Sequence, residues 1–118
     1  MLTLAPSVRV FVAFEPVDMR GSFDALAGIV RTLGLDPLDG HLYVLLNRRR
    51  HIAKVLWFDQ TGWCLLKKRL ERGTFQLPAI PDGANQVRVD AATLALFLAG
   101  IDLGAAPKRW FKGRATQP

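Results

Sequence analysis

At 118 residues and 50% hydrophobic content, the chain has the size of one domain and enough apolar material for a core without metal or disulfide staples. Charged residues make up 22% and sit among apolar ones throughout, which excludes wholesale disorder, and the lone Cys64 excludes an internal disulfide framework and points to a reducing compartment, the cytoplasm. The net charge of +6 is local: residues 1–47 carry three basic and five acidic side chains, 48–72 eight and two, 73–103 one and three, and 104–118 four and none.

Met1 to Phe14 has no basic region ahead of an apolar run, and Arg9 interrupts the apolar residues, so no targeting segment is expected there. No stretch reaches the length of a membrane span, and a membrane partner is not expected. Val8 to Phe14 reads as a strand that stops at Glu15-Pro16, because proline lacks a ladder donor and restricts the residue before it. Ser22 is placed to cap a helix with Phe23, Leu26, Ala27, Val30 and Leu33 on one face and Gly34 closing it. Asp36-Pro37-Leu38-Asp39-Gly40 has turn chemistry, and His41 to Leu46 then returns to strand composition.

Asn47-Arg48-Arg49-Arg50 reads as the exposed connection to a strand from Ile52 to Asp59. Gln60-Thr61-Gly62 suits a three-residue hairpin loop with Gly62 left-handed, leading into a third consecutive strand from Trp63 to Leu70. That loop sets a register with Asp59 opposite Trp63, Trp57 opposite Leu65, Val55 opposite Lys67 and Ala53 opposite Arg69 on one face. On the other face Phe58 would meet Cys64, Leu56 Leu66, Lys54 Lys68 and Ile52 Leu70; the lysine pair is unfavourable unless an anionic group lies between. Cys64 would be a small buried hydrophobe. Phe75 to Ile80, punctuated by Pro78 and Pro81, is expected to cross the sheet. Gln86 to Val89 suits an edge strand, and Asp90 caps a second helix carrying Leu94, Phe97, Leu98 and Ile101 on one face. From Gly104 the composition turns to Pro, Gly and basic residues around Trp110 and Phe111, as in a flexible tail. The expected architecture is one α+β domain over residues 1–103, an antiparallel meander of four to five strands packed with two helices, followed by a basic tail at 104–118.

Signals for catalysis are weak. His41 and His51 lack a cysteine pair or a converging carboxylate set, and neither a phosphate-cradling glycine loop nor a nucleophile elbow is present. Asp36, Asp39, Asp82 and Asp90 read as turn or cap residues rather than as a two-metal site. No enzyme, metal or cofactor is expected. Asp18 and Arg20 suit either a local ion pair or an arginine offered to a phosphate.

The positive charge between Arg48 and Arg72, interleaved with Trp57, Phe58 and Trp63, is what a protein needs to hold a polyanion whose bases can stack. Arg48, Arg49, Arg50, Lys67, Lys68, Arg69 and Arg72 are the candidate nucleic-acid-binding residues. Exposed tryptophans would favour single strands; tryptophans covered by a helix would be core and leave only the cations.

Several blocks in order resemble a known family: Val17-Asp18-Met19-Arg20 with Phe23-Asp24, Gly40-His41-Leu42 with Asn47 to Arg50, Lys54 to Asp59, and Lys68 to Phe75. They are similar to the small TnpB accessory protein of insertion-sequence-66-type mobile elements, over about residues 8–103, and not to the RNA-guided nuclease that shares the name. The resemblance implies a bacterial accessory factor in transposition, encoded beside a larger transposase that cleaves and joins the strands. It carries over no catalytic residue. The chain departs from the family pattern at Gly21-Ser22, where lysine and glycine are usual, at Leu46, where arginine is common, and at Trp63, where a smaller aliphatic is usual. The implied partners are element-end DNA or, in a different class, the transposase or a sister accessory protein. An unpaired meander edge also offers a second copy of the chain a place to pair.

Overall fold

The computed structural model describes residues 7–77 and 79–100, in the order β1 (Val10–Ala13), α1 (Phe23–Thr32), β2 (Leu42–Leu46), β3 (Ile52–Phe58), β4 (Trp63–Arg69), β5 (Gln86–Val89) and α2 (Ala91–Leu98). The strands form one sheet in the order β4-β3-β2-β1-β5. β2, β3 and β4 are the expected antiparallel meander, and β5 runs antiparallel to β1 at the opposite edge. β1 and β2 are parallel, with α1 as the crossover that a parallel pair requires, so the α+β domain is built on a mixed sheet. The expected tail at 104–118 and the helix position Ile101 lie outside the described residues.

Both faces of the sheet are covered, which explains why every residue of β2 is buried and why its sequence, Leu-Tyr-Val-Leu-Leu, does not alternate. On one face Leu26, Ala27 and Val30 of α1 pack with Ala13, Tyr43, Leu45 and Leu56. On the other Leu94 and Phe97 of α2 meet Val10, Val12, Val44, Ala53 and Val55. Phe75 crosses onto this second face and stacks on Phe97, with ring centroids 5.3 Å apart.

The helix ends follow local chemistry. Gly34, at φ +82°, ends α1 in a Schellman arrangement, its N–H donating to Arg31 O while Leu35 N–H reaches Val30 O. Asp90 caps α2 by accepting from Thr93 N–H at 2.7 Å. Ser22 occupies the N-cap position of α1, but its side chain makes no capping hydrogen bond, contrary to expectation. Phe23, expected on the core face, is 38% exposed.

The β3–β4 register is one residue away from the expected one. Phe58 opposes Trp63, Trp57 opposes Cys64, Val55 opposes Leu66 and Lys54 opposes Lys67. The cause is Asp59: its N–H donates to Gly62 O, and its carboxylate accepts from Thr61 N–H, Thr61 Oγ1 and Gly62 N–H at 3.0–3.1 Å. The carboxylate takes Asp59 out of the strand and closes a four-residue loop in which Gln60, not Gly62, adopts positive φ, at +83°. The slip separates the two tryptophans. Trp57 packs with the α2-side cluster and Trp63 with the α1-side cluster.

Candidate nucleic-acid interface

Strand direction gives the sheet two distinct ends. At one lie the β2–β3 turn and the C-terminal end of β4, since Leu70 N–H donates to His51 O at 2.8 Å and Ile52 opposes Arg69. All seven candidate cations gather there or within three residues of it along β4, about 10 Å. All seven are exposed. Lys67 and Arg69 share the α1 face, and Lys68 points to the α2 face.

The turn carrying Arg48, Arg49 and Arg50 is tied down by its own first residue. Asn47 Oδ1 accepts from His51 N–H and Ile52 N–H, both at 3.0 Å, while Asn47 Nδ2 donates to His51 Nδ1 at 3.0 Å. Arg50 N–H donates to Asn47 O, and Arg50 O accepts from Phe75 N–H at 2.7 Å. Phe75 is buried, so the chain after β4 is anchored in the core and also supports the turn. Neither Asn47 nor Phe75 figured among the candidate residues; an asparagine directly before a polar turn was the readable signal. Arg50 sits at φ +58°, a left-handed conformation that glycine adopts at less cost.

Lys54, near the same end, is only 7% exposed. Its Nζ donates to Met19 O at 2.7 Å and Gly21 O at 3.1 Å, which satisfies the buried ammonium without an anion between it and Lys67. The carbonyls come from the Asp18–Gly21 segment, so the lysine ties the entry to α1 down onto β3. Beside it Arg20 holds Asp18 through Nε and Nη2, at 2.7–3.1 Å. The Arg20 side chain and the Arg20 backbone N–H hold the Asp18 carboxyl down at about 2. This is the local ion pair, and both partners are well exposed. Arg69 pairs with Glu71 at 3.0 Å, equally in solvent.

The other end is acidic and aromatic. Asp36 and Asp39 are turn residues as expected, accepting from Leu38 N–H and His41 N–H. Asp39 also accepts from Tyr43 Oη at 2.6 Å, and burial followed by this bond raises the Tyr43 pKa. The Asp59 carboxyl is pulled down, chiefly by the Thr61 N–H. Cys64 is half-buried rather than buried, and its Sγ donates to Asp59 Oδ2 at 3.4 Å; burial and that carboxylate push the thiol pKa up. His41 Nδ1 accepts from Arg9 N–H. Among the described residues no three His, Cys, Asp or Glu side chains are grouped to hold a metal ion. Trp57, Phe58 and Trp63 all lie at this end, away from the arginine turn, with Phe58 and Trp63 edge to face at 5.1 Å.

No helix of the described residues is long and apolar enough to cross a membrane. No solved structure matches the chain. It is 40% identical to the uncharacterized protein y4hO of Sinorhizobium fredii (strain NBRC 101917 / NGR234) over 111 residues, covering 93% of this chain and 95% of that protein. A second protein of the same organism, the uncharacterized y4jC, is 31% identical over 103 residues, 86% of each chain. The model of the family described as IS66 Orf2 like protein, TnpB_IS66, matches residues 8–108, and the chain therefore belongs to this family of accessory proteins of insertion-sequence transposition.

Proposed function

We propose that this accessory protein holds element DNA through the basic end of its sheet, with Arg48, Arg49 and Arg50 on the turn and Lys67, Lys68, Arg69 and Arg72 flanking it along and after β4. The observation that carries this reading is the gathering of seven exposed cations around a turn locked by Asn47 and floored by Phe75. Of the acidic side chains at this end, Asp18 and Glu71 are each engaged by an arginine, while Glu15, two residues before the Val17 whose N–H donates to Leu46 O, and Asp24 in the first turn of α1 are exposed. A fixed cluster of this sign raises encounter rates with a phosphate polymer and gains affinity by counterion release. Such contacts position a protein on DNA without reading its sequence. The role is non-catalytic, with strand cleavage left to the transposase. The test is affinity for element-end DNA across a salt series. Arg48→Ala with Arg49→Ala should weaken binding and flatten the log–log salt slope by about 1.8, at about 0.9 for each phosphate that is no longer neutralised. Binding indifferent to salt and to both substitutions would remove the reading.

A protein-adaptor reading draws on a different observation. Among the described residues β4 is an edge strand with no neighbour on its outer side, and Leu66 on it is 40% exposed. The register leaves the backbone groups of Trp63, Leu65, Lys67 and Arg69 pointing away from β3, a template for an added strand. Capture of the transposase that survives high salt and is abolished by Leu66→Asp would favour this reading over DNA.

A further inference from the structure

We infer that the basic end is built for duplex DNA and not for single strands; this rests on the DNA-binding reading above and goes further by naming the form of nucleic acid. In the sequence, aromatic and basic residues interleave between Arg48 and Arg72, the composition of a single-strand groove. The fold takes that mixture apart. Trp57 lies five residues along β3 from Ile52, about 17 Å from the arginine turn, and Trp63 six residues along β4 from Arg69, about 20 Å. The two indoles are also on opposite faces, each packed against a different core cluster, so they cannot form one platform for successive bases. Phe75, whose N–H donates to Arg50 O, is buried with its ring stacked on Phe97, and Phe14, which the β1–β2 register brings level with Leu46, is half-buried. Phe23, on the first turn of α1 and 38% exposed, is the most open aromatic among the described residues, and one ring does not provide a track for successive bases.

Among the described residues, what remains at the basic end is charge on a stiff support. Duplex DNA presents one phosphate charge per about 1.7 Å of axis, roughly twice the density of a single strand, and carries the larger condensed counterion atmosphere. A cation cluster without a stacking platform therefore favours the duplex.

The experiment uses the full chain with one fluorescently labelled duplex of about 30 base pairs and each of its separated strands, measured by anisotropy across a salt series, with tryptophan emission followed in parallel. The expected result is duplex affinity at least about tenfold above either strand, with a slope near 0.9 per phosphate neutralised and tryptophan emission unchanged. Equal or tighter single-strand binding overturns the inference while leaving the DNA-binding reading standing. Tryptophan quenching by the single strands at comparable affinity overturns it in the same way. Failure to bind any of the three probes overturns both. Phe23→Ala serves as the control: unchanged duplex preference is expected, and loss of duplex binding in a folded variant would overturn the assignment of the duplex to the arginine turn.

Discussion

The two ends of the sheet are built from the same three strands and differ in what their turns do with polar groups. At the acidic end, Asp36, Asp39 and Asp59 spend their carboxylates on backbone N–H groups of their own turns, and Asp39 also takes the Tyr43 hydroxyl. At the basic end an uncharged residue, Asn47, closes the turn, and the charged side chains are left outside it. A turn closed by a neutral amide frees its arginines for something else, whereas a turn closed by a carboxylate has used its charge. Backbone strain does not separate the two ends, since each holds one non-glycine residue in the left-handed region, Arg50 at φ +58° and Gln60 at φ +83°.

The basic end stands on buried contacts beneath it. Phe75→Ala removes the buried ring against Phe97 and loosens the chain whose N–H supports Arg50 O; a loss of about 3–5 kcal/mol is expected in chemical denaturation. Arginine-turn amides should also exchange faster than those of the Asp59 loop. Lys54→Met keeps the volume but leaves the Met19 and Gly21 carbonyls without their donor, at a cost of about 1–3 kcal/mol. If Lys54 served DNA rather than the fold, its removal would instead appear in binding with stability unchanged.

Arg50→Gly sharpens the contrast, because it relieves the left-handed backbone while removing a charge. Stability should hold or rise by up to about 1 kcal/mol while DNA affinity falls. A variant that loses both would mean that Arg50 is structural. The smallest effect concerns pH. The Asp18 carboxyl lies below its ordinary 3.8, at about 2, so its ion pair contributes stability that is complete above about 3.8 and disappears as pH falls toward 2. Carboxyl NMR should find Asp18 titrating near 2, and Arg20→Ala should return it toward 3.8, with little change in DNA binding at neutral pH.

Much of the fold was legible because its signals are local. The apolar face of α1 at Leu26, Ala27 and Val30, the Gly34 terminus, the Asp90 cap and the unbroken β2 run each depend on side chains within a turn or two of one another. The parallel pairing of β1 with β2 was not legible, because composition marks a strand without marking its neighbour. The register slip turned on a single hydrogen-bonding choice. Asp59 reads as the last residue of an alternating strand, and only its carboxylate, folded back onto Thr61 and Gly62, makes it the first residue of the loop.

The candidate site divides in the same way. By itself the sequence determined that positive charge is concentrated between Arg48 and Arg72 and that ordered blocks resemble one family, because charge and motif order survive in any conformation. Only the tertiary structure decided which of those residues share a location. Antiparallel pairing folds residues 48–50 back beside 69–72 and sends Trp57 and Trp63 to the other end, and pleating then puts those two on opposite faces. Neighbours along a chain are not neighbours across a sheet, and a strand of seven residues is long enough to separate what the sequence had mixed.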